Sequence, residues 1–386
     1  MSTFEQVGGL DRYLNDPHVT RAVRAWARDQ GFVATVPAAP WRRRGGSGAL
    51  LVRLHIVVPA HERLSADLLV KVCSAGSPAR EPANHQRAWR DSPVFATRHL
   101  FRQIYPPVAL ADGRVLMFLD SSSSLTAAVT LGQLPGAARL DGGVATIRLV
   151  LGDWNSPTSR ERRTSSVEQF LAAELRGVLD RGRSAYTWAR DAGLIPDARA
   201  GDVRAGLPDL ARRFQLTSEL AGAVEFLAGR SHGDLHVDNI IVSRTPDGEL
   251  DFEGIRLIDL SAFDPRAPLS RDVAALLLSL IFPAVRSGAV PSLVDALTSA
   301  APATATPRTA LERVVNSVRL EAVKQVESRD QAMFHRQYLL SLVAQSVTYT
   351  SYDNAGEDGR LWYLRLGAAA AHAYRSFGAG PSGHHA

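Results

Sequence analysis

Two dense apolar runs, ALLVRLHIVV (49–58) and ADLLVKVCS (66–74), read as β-strands joined by a loop that contains Pro59. PPVALADGRVLMFLD (106–120) predicts a hairpin closed at Asp112-Gly113. Ahead of these strands, residues 1–38 predict an irregular start and one helix, HVTRAVRAWARDQ, entered at Asp16-Pro17. REPANHQRAWRDS (80–92) predicts another helix, with Pro82 suited to its first turn. Beyond the serine run 121–124 the apolar period lengthens to that of helices, in SVEQFLAAELRGVLDRGRSAYTWARDAGL and again in DLARRFQLTSELAGAVEFLAG. Two short strands, NIIVSR and GIRLIDL, interrupt through a Pro246-Asp247-Gly248 turn, and from Asp272 onward only helices are predicted. The pattern is therefore α+β. It predicts a helical extension (1–38), a small β-rich lobe (39–120), a larger mainly helical lobe (121–375) and a disordered tail (376–386).

Composition narrows the class. With 386 residues, 45% apolar and 22% charged, the chain has the make-up of a soluble globular protein. The apolar run Val273–Val285, which contains Pro283, is too short to cross a bilayer, and the N-terminus lacks a secretory-signal layout. A single cysteine, Cys73, excludes an internal disulfide framework and a cysteine-rich zinc site, so a cytoplasmic location is expected. The net charge of +5 is dispersed. Arg42-Arg43-Arg44 forms the one basic run, and no basic stripe is interleaved with aromatics, so neither nucleic acid nor a membrane is expected as a partner. Lys71 and Lys324 are the only lysines among 44 basic residues. An otherwise arginine-rich chain thus keeps a compact point charge at the end of an apolar strand, LLVKV.

The chemistry concentrates in SHGDLHVDNIIV (231–242). Asp234 is followed five residues later by Asn239, just before a strand, and Asp259 closes the next strand in LIDL. Paired strands would bring Asn239 and Asp259 to one end of a hairpin. Phosphoryl transfer needs such a set. Magnesium takes hard oxygen ligands, which Asn239 and Asp259 supply, and a separate carboxylate, Asp234, orients the attacking hydroxyl and accepts its proton. His232 and His236 lie four apart, as zinc ligands on a helix would, but a glycine between them makes a poor helix and no third ligand is evident.

HGDLHVDN resembles the catalytic loop of the aminoglycoside phosphotransferase and choline kinase group, relatives of the protein kinases, whose pattern is H-G-D-x-H-x-x-N followed by a metal-binding Asp after a β-hairpin. The resemblance implies a protein-kinase-like two-lobe fold, ATP or GTP as co-substrate and Mg2+. It implies Asp234 as catalytic base, Asn239 and Asp259 as magnesium ligands, and Lys71 on the α/β-phosphates. It is specific across 231–275, loose across 45–120, and silent over 125–225 and 280–386. Asp259-Leu260-Ser261 replaces the usual Asp-Phe-Gly. Gly45-Gly46-Ser47-Gly48 precedes a strand and matches neither G-x-G-x-x-G nor a Walker loop; its amides either cover phosphates or make a bare turn. Glu81, the only acid between Lys71 and Asp91, either pairs with Lys71 or simply favours its helix dipole. Asp272 resembles the acid that begins a core helix and braces the catalytic loop, a position that helix capping also explains. The expected function is transfer of the γ-phosphate to a hydroxyl of a small molecule or peptide. The alternative is a nucleotide-binding pseudokinase or adaptor subunit with protein partners, and a third reading is a metal-dependent hydrolase on His232, Asp234 and His236.

Overall fold

In a computed structural model the chain divides into two compact units, Met1–Thr130 with Asn239–Phe263, and Leu131–Asp238 with Asp264–Ala386. The structure describes residues 5–38, 40–44, 49–59, 61–73, 80–121, 128–180, 183–194, 206–245, 247–290, 293–300 and 307–378. The glycine-segment residues Gly46, Ser47 and Gly48, and the tail beyond 378, lie outside the described residues.

The chain opens with α1 (Glu5–Leu14), α2 (Pro17–Asp29), β1 (Val33–Thr35), β2 (Arg42–Arg44), β3 (Leu50–Val58) and β4 (His61–Cys73). Then come α3 (Arg80–Asp91), α4 (Pro93–His99), β5 (Gln103–Ala109), β6 (Val115–Asp120) and β7 (Val129–Thr130). The second unit begins with α5 (Gly136–Arg148), β8 (Glu161–Ser166), α6 (Val167–Leu175), α7 (Ser184–Asp191), α8 (Gly206–Arg213) and β9 (Ala223–Ser231). The chain returns to the first unit for β10 (Ile240–Arg244) and β11 (Leu250–Leu257). It finishes in the second with β12 (Asp264–Pro268), α9 (Ser270–Arg286), α10 (Leu293–Thr298), α11 (Ala310–Lys324), α12 (Gln331–Tyr349) and α13 (Gly356–Gly378). This is the α+β class that the pattern predicted, with one unit rich in strands and a larger one mainly helical.

The first unit is built on an antiparallel sheet in the order β1-β3-β4-β6-β5, with β2 also on β3. Strand alternation gives it two apolar faces. Val52, Leu54, Ile56, Val70, Leu116 and Phe118 face α1 and α2, which contribute Leu10, Leu14, Val19, Val23 and Trp26. Trp26 stacks on Phe118 with ring centroids 3.9 Å apart. The other face, with Leu51, Leu69, Cys73, Met117 and Leu119, packs against Ile241 and Ile258 of the β10–β11 segment. Two helices therefore precede the sheet where one was predicted, and both share its core. The Asp16 side chain caps α2 by accepting from the amides of His18 and Val19, as the Asp16-Pro17 signal implied.

The second unit holds the sheet β12-β9-β8 and the buried helices α9 and α12. Here one expectation fails. DLARRFQLTSELAGAVEFLAG was predicted helical throughout, yet α8 ends at Arg213 and Ala223–Ser231 is a strand. A short apolar run reads the same as helix or strand, and long-range pairing decides it. Glu225 lies opposite Thr164 of β8, and Gly229 opposite Ala267 of β12. Gly229 is required there: a Cβ would sit 2.4 Å from Asn155 Oδ1. That oxygen accepts from the Arg230 amide, while Asn155 Nδ2 donates to the Arg230 carbonyl. Among the described residues, no helix is long and apolar enough to cross a membrane.

Candidate active site

In the first unit, β4 carries Lys71 opposite Leu51 of β3 and Met117 of β6, at the centre of the sheet. The ammonium forms an ion pair with Glu81, which lies in the first turn of α3, and a second with Asp259 Oδ1 at 2.9 Å. Of the two readings of Glu81, the ion pair is the one realised. Lys71 and Glu81 are both 5% exposed. Burial by itself would lower the Lys71 pKa, but attraction from Asp259 and Glu81 outweighs it and holds the ammonium above its ordinary value. Cys73, two residues on and so on the same strand face, donates its thiol to Glu81 Oε2 at 3.2 Å. Burial pushes this thiol well up, so it remains an S–H donor. Strand alternation after Lys71 is the sequence signal that places Cys73 on this face, and the sequence did not show its contact with Glu81.

Asn239 and Asp259 meet the same unit at one end of the β10–β11 hairpin. Ile240 pairs with Leu257, and the Ile258 amide donates to the Asn239 carbonyl at 3.0 Å. Asp259 follows directly, in the left-handed region at φ 66°, and α3 is tied to this corner by Asn84 Nδ2 donating to the Ser261 carbonyl at 2.9 Å. A carboxylate and an amide oxygen are hard donors suited to magnesium. Two carboxylates sharing one ammonium also leave negative charge for a divalent ion to meet.

In the second unit, the loop after β9 holds Asp234. Asp272 of α9 organises it. Its Oδ1 accepts from Ser231 Oγ (3.0 Å) and the Gly233 amide (3.0 Å), and Oδ2 accepts from the His232 amide (2.7 Å). The carboxylate therefore braces the loop and makes no side-chain cap on its own helix. Gly233 adopts φ 82°, a conformation that strains any other residue type, which explains the glycine between His232 and Asp234. His232 is fully buried and its Nδ1 accepts from the Asp234 amide at 3.4 Å. His236 Nδ1 accepts from the Asp238 amide at 3.2 Å, and its Nε2 lies 3.9 Å from Asp234 Oδ2. Both histidines thus serve the loop backbone. Among the described residues, no group of three His, Cys, Asp or Glu side chains is placed to hold a metal ion, so the hydrolase reading lacks its ligand set.

Beneath the loop, Arg271 and Glu174 form a fully enclosed pair, Nε donating to Oε1 at 2.6 Å, with Ser341 Oγ donating to Oε2 at 2.9 Å. Sequence reading did not single out either residue. The charged pair comes from α6 and α9, far apart in the chain, and carries no local signature.

No protein-family model and no curated protein matches the chain. Partial likenesses exist among solved structures. A choline kinase of Streptococcus pneumoniae is 13% identical, with 92% of this chain and 100% of that one covered and a TM-score of 0.44. An ethanolamine kinase of Plasmodium vivax is 9% identical, over 88% and 83%, with a TM-score of 0.43. A glucosamine kinase in complex with glucosamine, ADP and inorganic phosphate is 12% identical, over 92% and 85%, with a TM-score of 0.42. Overlap this limited leaves the site to be read from its own geometry.

Proposed function

We propose that this chain is a magnesium-dependent phosphotransferase of the aminoglycoside phosphotransferase and choline kinase type, moving the γ-phosphate of ATP or GTP to a hydroxyl of a small molecule. The observation that carries this reading is the buried Lys71 held between Glu81 and Asp259, with Asn239 at the same hairpin end as Asp259. A lysine kept charged at that position suits nucleotide phosphates, and Glu81 keeps its side chain extended. Asp259 and Asn239 would hold magnesium, which neutralises charge on the transferred phosphoryl oxygens when bound. Asp234 is the base that takes the acceptor's hydroxyl proton, and Asp272 fixes the loop that presents it. Lys71 and the backbone-anchored loop hold groups still, which is most of what phosphoryl transfer asks of a protein.

The test is thermal stabilisation by ATP and by GTP, with and without magnesium, alongside turnover, on wild type, Asp234→Ala and Asp259→Ala. Wild type should show a magnesium-dependent rise. Asp234→Ala should keep that rise and lose roughly 10²–10⁴-fold in transfer, the usual worth of a general base. Asp259→Ala should lose the rise itself. Normal turnover by Asp234→Ala would remove it as the base. A wild type that binds magnesium nucleotide but transfers to no acceptor would be the pseudokinase or adaptor.

A further inference from the structure

Within the second unit, a cleft of about 80 Å3 opens beside Asp234, lined also by Glu174, Arg176, Gln345, Thr348 and Tyr352. A water needs roughly 10–15 Å3 of such space, so the cleft holds several waters or one small ring. Pockets that enclose a multi-ring ligand run to about 300–1,000 Å3.

Its charge is balanced. Glu174 is 3% exposed and spends both oxygens inside the protein, on Arg271 and Ser341. Asp234 and Arg176 both line the cleft, and Arg176 Nη1 donates to the Gly233 carbonyl at 3.5 Å. Among the described residues that line the cleft, the carboxylates are Glu174, which is spent inside the protein, and Asp234, which is needed as base.

Gln345 and Thr348 of α12 add neutral hydrogen-bonding groups to the lining. Gln337, Ser341, Gln345 and Thr348 follow one another at spacings of four, four and three, which puts them on one helix face. Three are satisfied by the protein. Gln337 accepts from the Leu227 amide (2.6 Å) and donates to the Leu227 carbonyl and Ser270 Oγ. Ser341 donates to Glu174, and Thr348 donates to the Ala344 carbonyl at 3.0 Å. Gln345, 7% exposed and in the cleft wall, makes no side-chain hydrogen bond to any described residue. Its amide opens onto the cleft, where it offers both donors and an acceptor to whatever enters.

Resting on the phosphotransferase reading above, we infer that the acceptor is a small neutral polyol of about monosaccharide size, whose adjacent hydroxyls the Gln345 amide recognises. In the transfer, the acceptor hydroxyl gives its proton to Asp234 and its oxygen bonds to the γ-phosphorus. The bond from that phosphorus to the β–γ bridging oxygen breaks, and the nucleoside diphosphate leaves with the electron pair.

The experiment measures nucleoside diphosphate release by the full chain with Mg-ATP and Mg-GTP. The acceptors are glucose, myo-inositol and other neutral sugars and polyols, then choline and ethanolamine, then kanamycin. Neutral polyols should stimulate release more than the amines do. Gln345→Leu should raise the KM of that polyol about ten- to hundredfold, with a smaller change in kcat, the size expected for two lost neutral hydrogen bonds. Gln345→Glu should turn preference from glucose towards glucosamine, a change of sign that misfolding does not produce. Preferential transfer to choline, ethanolamine or kanamycin would overturn the inference. So would an unaltered polyol KM in Gln345→Leu, or no stimulation by any neutral polyol while wild type still binds magnesium nucleotide by calorimetry. Absence of magnesium-nucleotide binding in wild type would overturn the phosphotransferase reading, and this inference with it.

Discussion

Replacing Glu81 by Gln removes one charge from the buried Lys71–Glu81–Asp259 cluster and keeps the side chain's shape. Taking one partner from a buried ion pair costs about 3–5 kcal/mol when it strands the other charge. Here Asp259 Oδ1 remains 2.9 Å from the Lys71 ammonium, so no charge is stranded. A second effect has the opposite sign. Burial, reinforced by the nearby Asp259, holds the Glu81 carboxyl above its ordinary range even though Lys71 pulls it down. A carboxyl raised on folding binds its proton more tightly in the folded state. Stability therefore falls as pH climbs from the ordinary value through the raised one, and above both the ionised Glu81 is a net cost. Gln carries no such cost. The unfolding free energy of Glu81→Gln at pH 8 should lie within about 1 kcal/mol of wild type, or above it. Activity should not be spared. Without Glu81 the lysine is drawn towards Asp259, the proposed metal ligand, and a displacement of about 1 Å at such a site costs roughly 10²-fold. Urea unfolding followed by tryptophan fluorescence, paired with kcat/KM for the nucleotide, should show stability kept and activity down about 10- to 100-fold. Lys71→Met is the contrast. It leaves two carboxylates with no cation and should cost about 3–5 kcal/mol. A Glu81→Gln protein that loses more than about 3 kcal/mol, or that keeps full kcat/KM, would refute the reasoning.

Two other perturbations follow from the geometry. Asp272→Asn halves the acceptor oxygens available to Ser231, His232 and Gly233; with charge-assisted bonds worth about 1.5–3 kcal/mol each, it should lose about 2–4 kcal/mol in urea unfolding and lower kcat more than nucleotide affinity. Asp16 caps α2 and accepts from Arg114 at 2.7 Å, and that bond first holds its carboxyl below the usual range. Its contribution is present above the ordinary carboxylate pKa and lost as pH falls through the depressed one, so Asp16→Ala should cost about 1–2 kcal/mol at pH 7 and flatten the acid end of the Tm–pH curve.

The sequence by itself determined those features whose cause is local. The dense apolar run around Lys71 specifies a strand covered on both faces, and Asp16-Pro17 specifies the start of α2. The order Asp234, Asn239, hairpin, Asp259 forces two of the three to one hairpin end, because antiparallel register leaves no other place for them. Gly233 was legible as a poor helix residue, and the fold added that the loop needs it at φ 82°. Tertiary structure decided whatever depended on partners distant in the chain. Ala223–Ser231 became a strand because β8 and β12 lie on either side of it; its own residues would have served a helix. Glu81 stands in the first turn of α3 and also pairs with Lys71, because the fold buries its carboxylate where an unmatched charge would be too costly to leave. The polar stripe of α12 was present in the sequence at helical spacing. Its meaning appeared only once Leu227, Ser270 and Glu174 were found to satisfy its first members and nothing described was found to satisfy Gln345. Helical and strand periods are written residue by residue, whereas the satisfaction of a buried polar group is a property of the neighbours that folding brings to it.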